Sequence, residues 1–199
     1  ATVPKNGMME LPLNLLNQLK ETNVILNAEV INITDKSITV NASEQSFDHI
    51  ICAFDNQSSD FQIVTTDYFE TQEPLASKPT LYLNGNATGV INHIAPMSSA
   101  NPNYSPKGKY LWSVNLLAPH HESAPEVVEN ELKDWFKATT FTHIKRFTIK
   151  KALPASPSFG QGELLKNGIF QCGDHMQDPS INGALKSGRL VAEHILSGK

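Results

Sequence analysis

One corner of this chain carries residues suited to gripping a hydroxylated, electron-rich ligand: Gly173 and Asp174, followed shortly by Ser180, Ile181, Asn182 and Gly183. A glycine lets the backbone approach a ligand closely, and the carboxylate beside it accepts hydrogen bonds from hydroxyls, so a sugar or polyol fits the Gly-Asp step. Ser180 has the chemistry of a helix N-cap. The helix it opens would aim free N–H groups and a positive dipole end at whatever lies nearby, which favours an anion or an electron-rich ring.

Positioning these groups requires a strand on one side and a helix on the other. Gly168 to Cys172 reads as a short apolar strand, and α/β folds bind ligands at the carboxyl edge of such strands. The following helix is expected to bury Ala184, Leu185, Gly188, Val191, Ala192 and Ile195. From the residues alone the same segment also fits a purely structural strand–loop–helix, with Asp174 capping a turn and Ser180 an ordinary helix.

Upstream, Glu10 to Gln18 predicts a short helix with Pro12 in its first turn. NVILNAEVINI and SITVN around the turn TDKS predict a hairpin, and DHIICAF, Asp48 to Phe54, predicts a central strand apolar on both faces. The polar stretch Asp55 to Ser77 is expected to be a crossing between lobes. Thr80–Leu83, Gly89–Ala95, Lys109–Leu117 and His143–Lys150 then predict a second sheet. ESAPEVVENELKDWFK predicts a helix with Ser123 as N-cap, Pro125 in its first turn, and Val128, Leu132, Trp135 and Phe136 at helical spacing.

Composition narrows the partners. The chain has 199 residues, 40% of them hydrophobic, and its formal net charge of -4 comes without a long run of one sign. That leaves no electrostatic footprint for nucleic acid and no polybasic membrane patch. No apolar run reaches the roughly 18 residues of a membrane span. Cys52 and Cys172 lie in apolar runs without metal-ligand spacing, and are read as buried thiols in a reducing, cytoplasmic compartment. Asn86-Ala87-Thr88 matches a glycosylation sequon, a triplet that arises by chance.

The histidines offer no metal centre. His120 and His121 adjoin ahead of a helix, His93 lies between isoleucines in a strand, and only His175, beside Asp174, stands near the chemistry. Trp112, Trp135 and Phe136 are expected in the core, whereas Tyr82 and Asn92 sit on strands whose faces the sequence does not distinguish. With no GxSxG elbow and no Walker A loop, the catalytic side chains stay unassigned.

The segment GDHMQDPSINGALKSGRLVAEHIL resembles the carboxyl-terminal flavin-binding segment of the flavin-containing amine oxidase superfamily, the group that includes protoporphyrinogen oxidase and phytoene desaturase-like enzymes. GMMELPLNLLNQL, NVILNAEVINI, DHIICAF, LYLNG and INHIAPMSSANPNYSPKGKYLWSV resemble successive segments of the family's carboxyl-terminal portion. The resemblance implies FAD as cofactor and an α/β (α+β) fold: partial dinucleotide-domain elements in 1–55 and 165–199, with a mixed-sheet substrate lobe and packed helix in 56–164. It also implies that Asp174 binds the ribityl hydroxyls and Gly173 lies near the pyrophosphate. Ser180 then caps a helix whose Ile181, Asn182 and Gly183 present N–H groups to the flavin pyrimidine edge, and Val30 touches adenine through its backbone.

This family builds its cofactor site around a strand–GxGxxG–helix unit, and the chain contains no GxGxxG. Together with the opening at Ala1, that leads to the expectation of a fragment of a longer FAD-dependent oxidoreductase, inactive by itself, that passes a hydride from a C–N or C–C bond to flavin. Apolar strands such as YLWSVNLL lean toward an apolar small-molecule substrate. The alternative is a non-catalytic binding or oligomerisation module without the dinucleotide half.

Overall fold

The computed structural model describes residues 3–54, 61–137, 140–155 and 165–198. In chain order its elements are α1 (Glu10–Leu16), β1 (Val30–Ile33), β2 (Ser37–Val40), β3 (Ser43–Ser46), β4 (Ile51–Cys52), β5 (Phe61–Thr71), β6 (Tyr82–Leu83) and β7 (His93–Pro96). There follow α2 (Met97–Ala100), β8 (Tyr110–Leu117), α3 (Pro125–Phe136), β9 (Thr142–Pro154), β10 (Leu165–Lys166), β11 (Ile169–Gln171) and α4 (Ile181–Ser197). The fold is α+β. Its chain divides into two compact units, Ala1–Thr22 with Gln62–Ala152 and Asn23–Phe61 with Leu153–Lys199. Residues 1–22, grouped by sequence with 165–199, thus fall in the first unit. There the Asn101 amide donates to the Pro4 and Lys5 carbonyls at 3.1 and 2.9 Å, and the Tyr104 hydroxyl to Pro4 at 2.7 Å.

The first unit is built on a five-stranded sheet in the order β6-β7-β8-β5-β9. Antiparallel register sets Trp112 opposite Phe69 and Pro96, Val114 opposite Asp67 and Ile94, and Leu116 opposite Thr65. Because strand side chains alternate, these residues share one face. Against it α3 lays Val128 and Leu132, both fully buried in a cluster with Phe69, Ile94, Trp112, Val114, Leu116 and Phe141. Each such aliphatic side chain contributes roughly 1.5–3 kcal/mol by leaving water.

The helix forms as its sequence predicts, with Pro125 in the first turn, though its N-cap is Ala124 and no side chain caps it. Ser123 is therefore not the cap: the chain is already extended at Ala124, and Pro125 lacks the N–H that a cap would satisfy. Glu131 ties the helix to the sheet by accepting the Val90 N–H at 2.7 Å. Gly89 is required beside it, because its φ is +80° and an added Cβ would lie 2.4 Å from the Glu131 carboxylate.

The largest departure from expectation is β5, which occupies the stretch read as an inter-lobe crossing and lies inside the large sheet; residues 55–60 of that stretch fall outside the described residues. Its inward positions are Thr65, Asp67, Phe69 and Thr71, so three of the four residues that should announce a buried face are polar. Each is satisfied internally. Thr65 meets the Thr148 hydroxyl at 3.0 Å, and Thr71 accepts the Trp112 indole N–H at 3.0 Å. Asp67, with no exposed side-chain surface, takes Arg146 Nε at 2.8 Å, Arg146 Nη2 at 2.5 Å and His143 Nε2 at 3.0 Å.

The second unit carries two small sheets. β1, β2 and β3 form an antiparallel meander, with the Thr34 hydroxyl accepting the Ser37 N–H at 2.8 Å in the turn. β10, β11 and β4 form the other sheet, in which β11 runs parallel to β4 and antiparallel to β10. DHIICAF was expected at a sheet centre; among the described residues β4 is an edge strand, and Ile51 is half exposed. Phe170, Cys172 and Val191 form the core of this unit with Ile195 packed against them, and the Phe170 ring meets those of His49 and His194 edge-on.

The buried stripe of α4 differs from expectation. Val191 is buried and Gly188 and Ile195 are half-buried as expected, but Ala184, Leu185 and Ala192 are exposed, and Gly183 and Ser187 are buried in their place. Apolar content put the stripe one step off, because small size and hydrogen bonding select the packed face here.

Candidate functional site

β11 ends at Gln171, and its parallel partnership continues one residue further, with the Cys172 N–H donating to the Cys52 carbonyl at 3.0 Å. At Gly173 the chain turns, with φ +142° and ψ 172°, a conformation reserved for glycine. A Cβ there would lie 2.5 Å from Nδ1 of His175, whose ring covers the glycine. Beyond it Asp174–Met176 form one short 3-10 turn, closed by the Met176 N–H on the Gly173 carbonyl at 3.2 Å. α4 packs against this turn. Among the described residues nothing hydrogen-bonds the half-buried Asp174 carboxylate, which leaves its acceptor capacity open.

Ser180 caps α4: its backbone is extended and its hydroxyl oxygen accepts the Gly183 N–H at 3.0 Å while donating to the Asp178 carboxylate. The Ala184 N–H bonds the Ser180 carbonyl at 3.0 Å. Of the orphan donors of the first turn, those of Ile181 and Asn182 thus stay unpaired among the described residues, whereas that of Gly183 is spent on the cap. Gly183 has a packing duty instead, since a Cβ would fall 2.0 Å from the Asp178 carbonyl oxygen.

One residue of this corner carries no obvious sequence signal. The Ser187 hydroxyl, fully buried, accepts the Gly173 N–H at 2.8 Å and donates to the Ala184 carbonyl at 2.9 Å. The Gly173 N–H is therefore not free for a ligand. A serine one helical turn after Gly183, on the glycine's own face, was the available hint.

Val30 starts β1 opposite Val40, partly exposed, and no hydrogen bond or strand ladder joins it to the Gly173 corner among the described residues. The Tyr82 ring lies 5.1 Å from that of Phe136, on the helix-covered face of the large sheet. Asn92 points its side-chain oxygen at His93 Nδ1, 2.8 Å away. Burial lowers the pKa of His93, favouring the neutral ring. Cys172 titrates above its ordinary range because of burial and then the neighbouring Cys52. Both cysteines are free; Gln171 pairs with Cys52, so alternation sends the Cys172 side chain to the other face.

In the first unit a cleft of about 330 Å³ is lined by Ile63, His121, Glu122, Arg146, Thr148 and Lys150. Arg146 is committed to Asp67 and also feels Glu126, and Glu122 lies 3.8 Å from His121 Nε2.

No family model matches the chain, and no curated protein sequence matches it. Its fold, however, recurs in solved structures. Reduced UDP-galactopyranose mutase superposes with a TM-score of 0.70 at 13% identity, covering 99% of this chain and 53% of that one. A putrescine oxidase triple mutant from a redesign of cofactor binding gives 0.62 at 10% identity, covering 98% and 54%. An oxidoreductase from Methanosarcina mazei gives 0.58 at 16% identity, covering 83% and 48%. The chain spans about half the length of these proteins.

Proposed function

We propose that this chain forms the carboxyl-terminal portion of an FAD-dependent oxidoreductase of the amine oxidase and desaturase kind, and that its second unit supplies one wall of the cofactor site. The observation that carries the proposal is the juxtaposition at one corner of an unpaired carboxylate, Asp174, and the two unpaired N–H groups of Ile181 and Asn182. This donor and acceptor set fits FAD, which has ribityl hydroxyls to donate and pyrimidine carbonyls to accept. Support comes from the fold shared with putrescine oxidase, whose cofactor binding has been redesigned, and with UDP-galactopyranose mutase, solved in a reduced state.

On this reading Asp174 accepts the ribityl hydroxyls. Ile181 and Asn182 donate to the pyrimidine edge, where the positive end of α4 stabilises the negative charge of a reduced ring. Gly173 contributes its shape, since its N–H belongs to Ser187, and Ser180 and Gly183 set the start of the helix. Val30 is proposed as the adenine contact on the family resemblance alone. When bound, FAD supplies the hydride-accepting chemistry, and the protein supplies orientation, a dry pocket and electrostatics. The substrate proposed is a small apolar molecule that gives up a hydride from a C–H bond to the flavin and a proton from the neighbouring N or C, as its C–N or C–C single bond becomes double. A reducing, cytoplasmic location is proposed with it, supported by the two free thiols.

The test is the absorption spectrum of the full native gene product, followed by titration of its apoprotein with FAD under fluorescence detection. Flavin bands that co-purify, or quenching that saturates, support the reading. A colourless product that leaves FAD fluorescence untouched refutes it in favour of a binding or oligomerisation module.

A further inference from the structure

We infer that Ser187 is a positioning residue, whose hydroxyl holds the Gly173–Asp174 corner in the conformation that receives the flavin. The inference rests on the flavin reading above and adds to it a residue that touches neither cofactor nor substrate. It starts from the backbone. Gly173 has φ +142° and ψ 172°, one of several conformations open to a glycine and closed to other residues, so neighbouring contacts must select it.

Three contacts impose that conformation. The Gly173 N–H is drawn onto Ser187 Oγ at 2.8 Å, its carbonyl is held by the Met176 N–H at 3.2 Å, and the His175 ring covers its open side. Of the three, only the bond to Ser187 links the corner to α4, the element that carries the unpaired Ile181 and Asn182 donors. Ser187 lies between Gly183 and Val191 on the buried stripe, where a hydroxyl is costly unless both its roles are filled. Both are filled here, one toward Gly173 and one toward the Ala184 carbonyl. The same side chain therefore fixes the spacing between the Asp174 carboxylate and the donors of the first helical turn, so the ligand meets a preformed pair.

Without that bond the corner samples other conformations, and affinity falls by the fraction of time the competent one is present. The test uses the full native chain and the variants Ser187→Ala and Ser187→Thr. Amide hydrogen exchange is followed at Gly173, FAD affinity by fluorescence quenching, and the environment of bound flavin by its visible band positions. In the native chain the Gly173 amide is expected to exchange slowly. Ser187→Ala is expected to free that amide, weaken FAD about tenfold and shift the flavin bands, and Ser187→Thr, which keeps the hydroxyl, to restore all three.

A Gly173 amide unprotected in the native chain overturns the inference even if Ser187→Ala does not fold. So does a folded Ser187→Ala protein with a freed amide and native FAD affinity. A native chain whose Gly173 amide is protected but which binds no flavin overturns the function reading, and with it the ligand assigned to the corner.

Discussion

Arg146→Met should destabilise the protein more than Asp67→Asn, although the two substitutions break the same ion pair. The Asp67 side chain is 0% exposed, whereas those of Arg146 and His143 keep 24% and 28% of their surface. Removing Arg146 takes away bonds of 2.8 and 2.5 Å and leaves a carboxylate sealed from water with His143 as its remaining partner. Stranding a buried charge costs about 3–5 kcal/mol. Asp67→Asn keeps an acceptor for one guanidinium N–H, and Arg146 can turn its freed edge to water, so the loss is that of a charge-assisted bond, about 1.5–3 kcal/mol. The double variant Asp67→Asn/Arg146→Met strands no charge and should cost less than the sum of its parts. Urea unfolding of the four proteins gives the numbers, read as midpoint shifts at constant slope. Two results would refute the reasoning: Arg146→Met costing no more than Asp67→Asn, or additive losses in the double variant.

Gly89→Ala should cost about 1–3 kcal/mol, since it combines a positive φ with a Cβ placed against the Glu131 carboxylate; Glu131→Ala, which also gives up the bond from the Val90 N–H, should cost less in the Gly89→Ala background than in the native chain when both are read by urea unfolding. Cys172 should resist alkylation at neutral pH, because burial and the adjacent Cys52 hold its pKa up; timed iodoacetamide labelling should modify it only as the protein unfolds. For His93, burial pushes the folded pKa below the ordinary 6.5. The unfolded chain then binds the proton more readily, so this histidine's contribution is complete above about pH 6.5 and drains away as pH falls toward the folded value. His93→Gln should flatten that limb of the stability–pH curve, as measured by urea midpoints at stepped pH.

Much of the element order is legible in the chain. Pro125, the early acids and the spacing of Val128 and Leu132 specify α3, because an amphipathic stripe and a first-turn proline are local signals. The hairpin around Thr34–Ser37 and the strand before Gly173 are specified the same way, by turn chemistry and short apolar runs. β5 escaped for a physical reason: its inward residues are Thr65, Asp67 and Thr71, which can be buried only because Thr148, Arg146, His143 and Trp112, remote in sequence, complete their hydrogen bonds. Ser187 escaped likewise, since a serine between Gly183 and Val191 gains its meaning only when Gly173 is folded against it.

By itself the sequence determined the residue types at the corner, the cap at Ser180 and the glycine that the turn demands, because these depend on chemistry within a few positions of the chain. Tertiary structure decided which of those groups remain available. Gly183 spends its N–H on Ser180 and Gly173 spends its own on Ser187, whereas Ile181, Asn182 and Asp174 keep theirs. It decided as well that Tyr82 packs, partly buried, against the core of the first unit and that Asp67 sits inside the large sheet. A hydrogen bond is a pairing between two positions, and a chain read one position at a time names the donors without saying which acceptor will claim each.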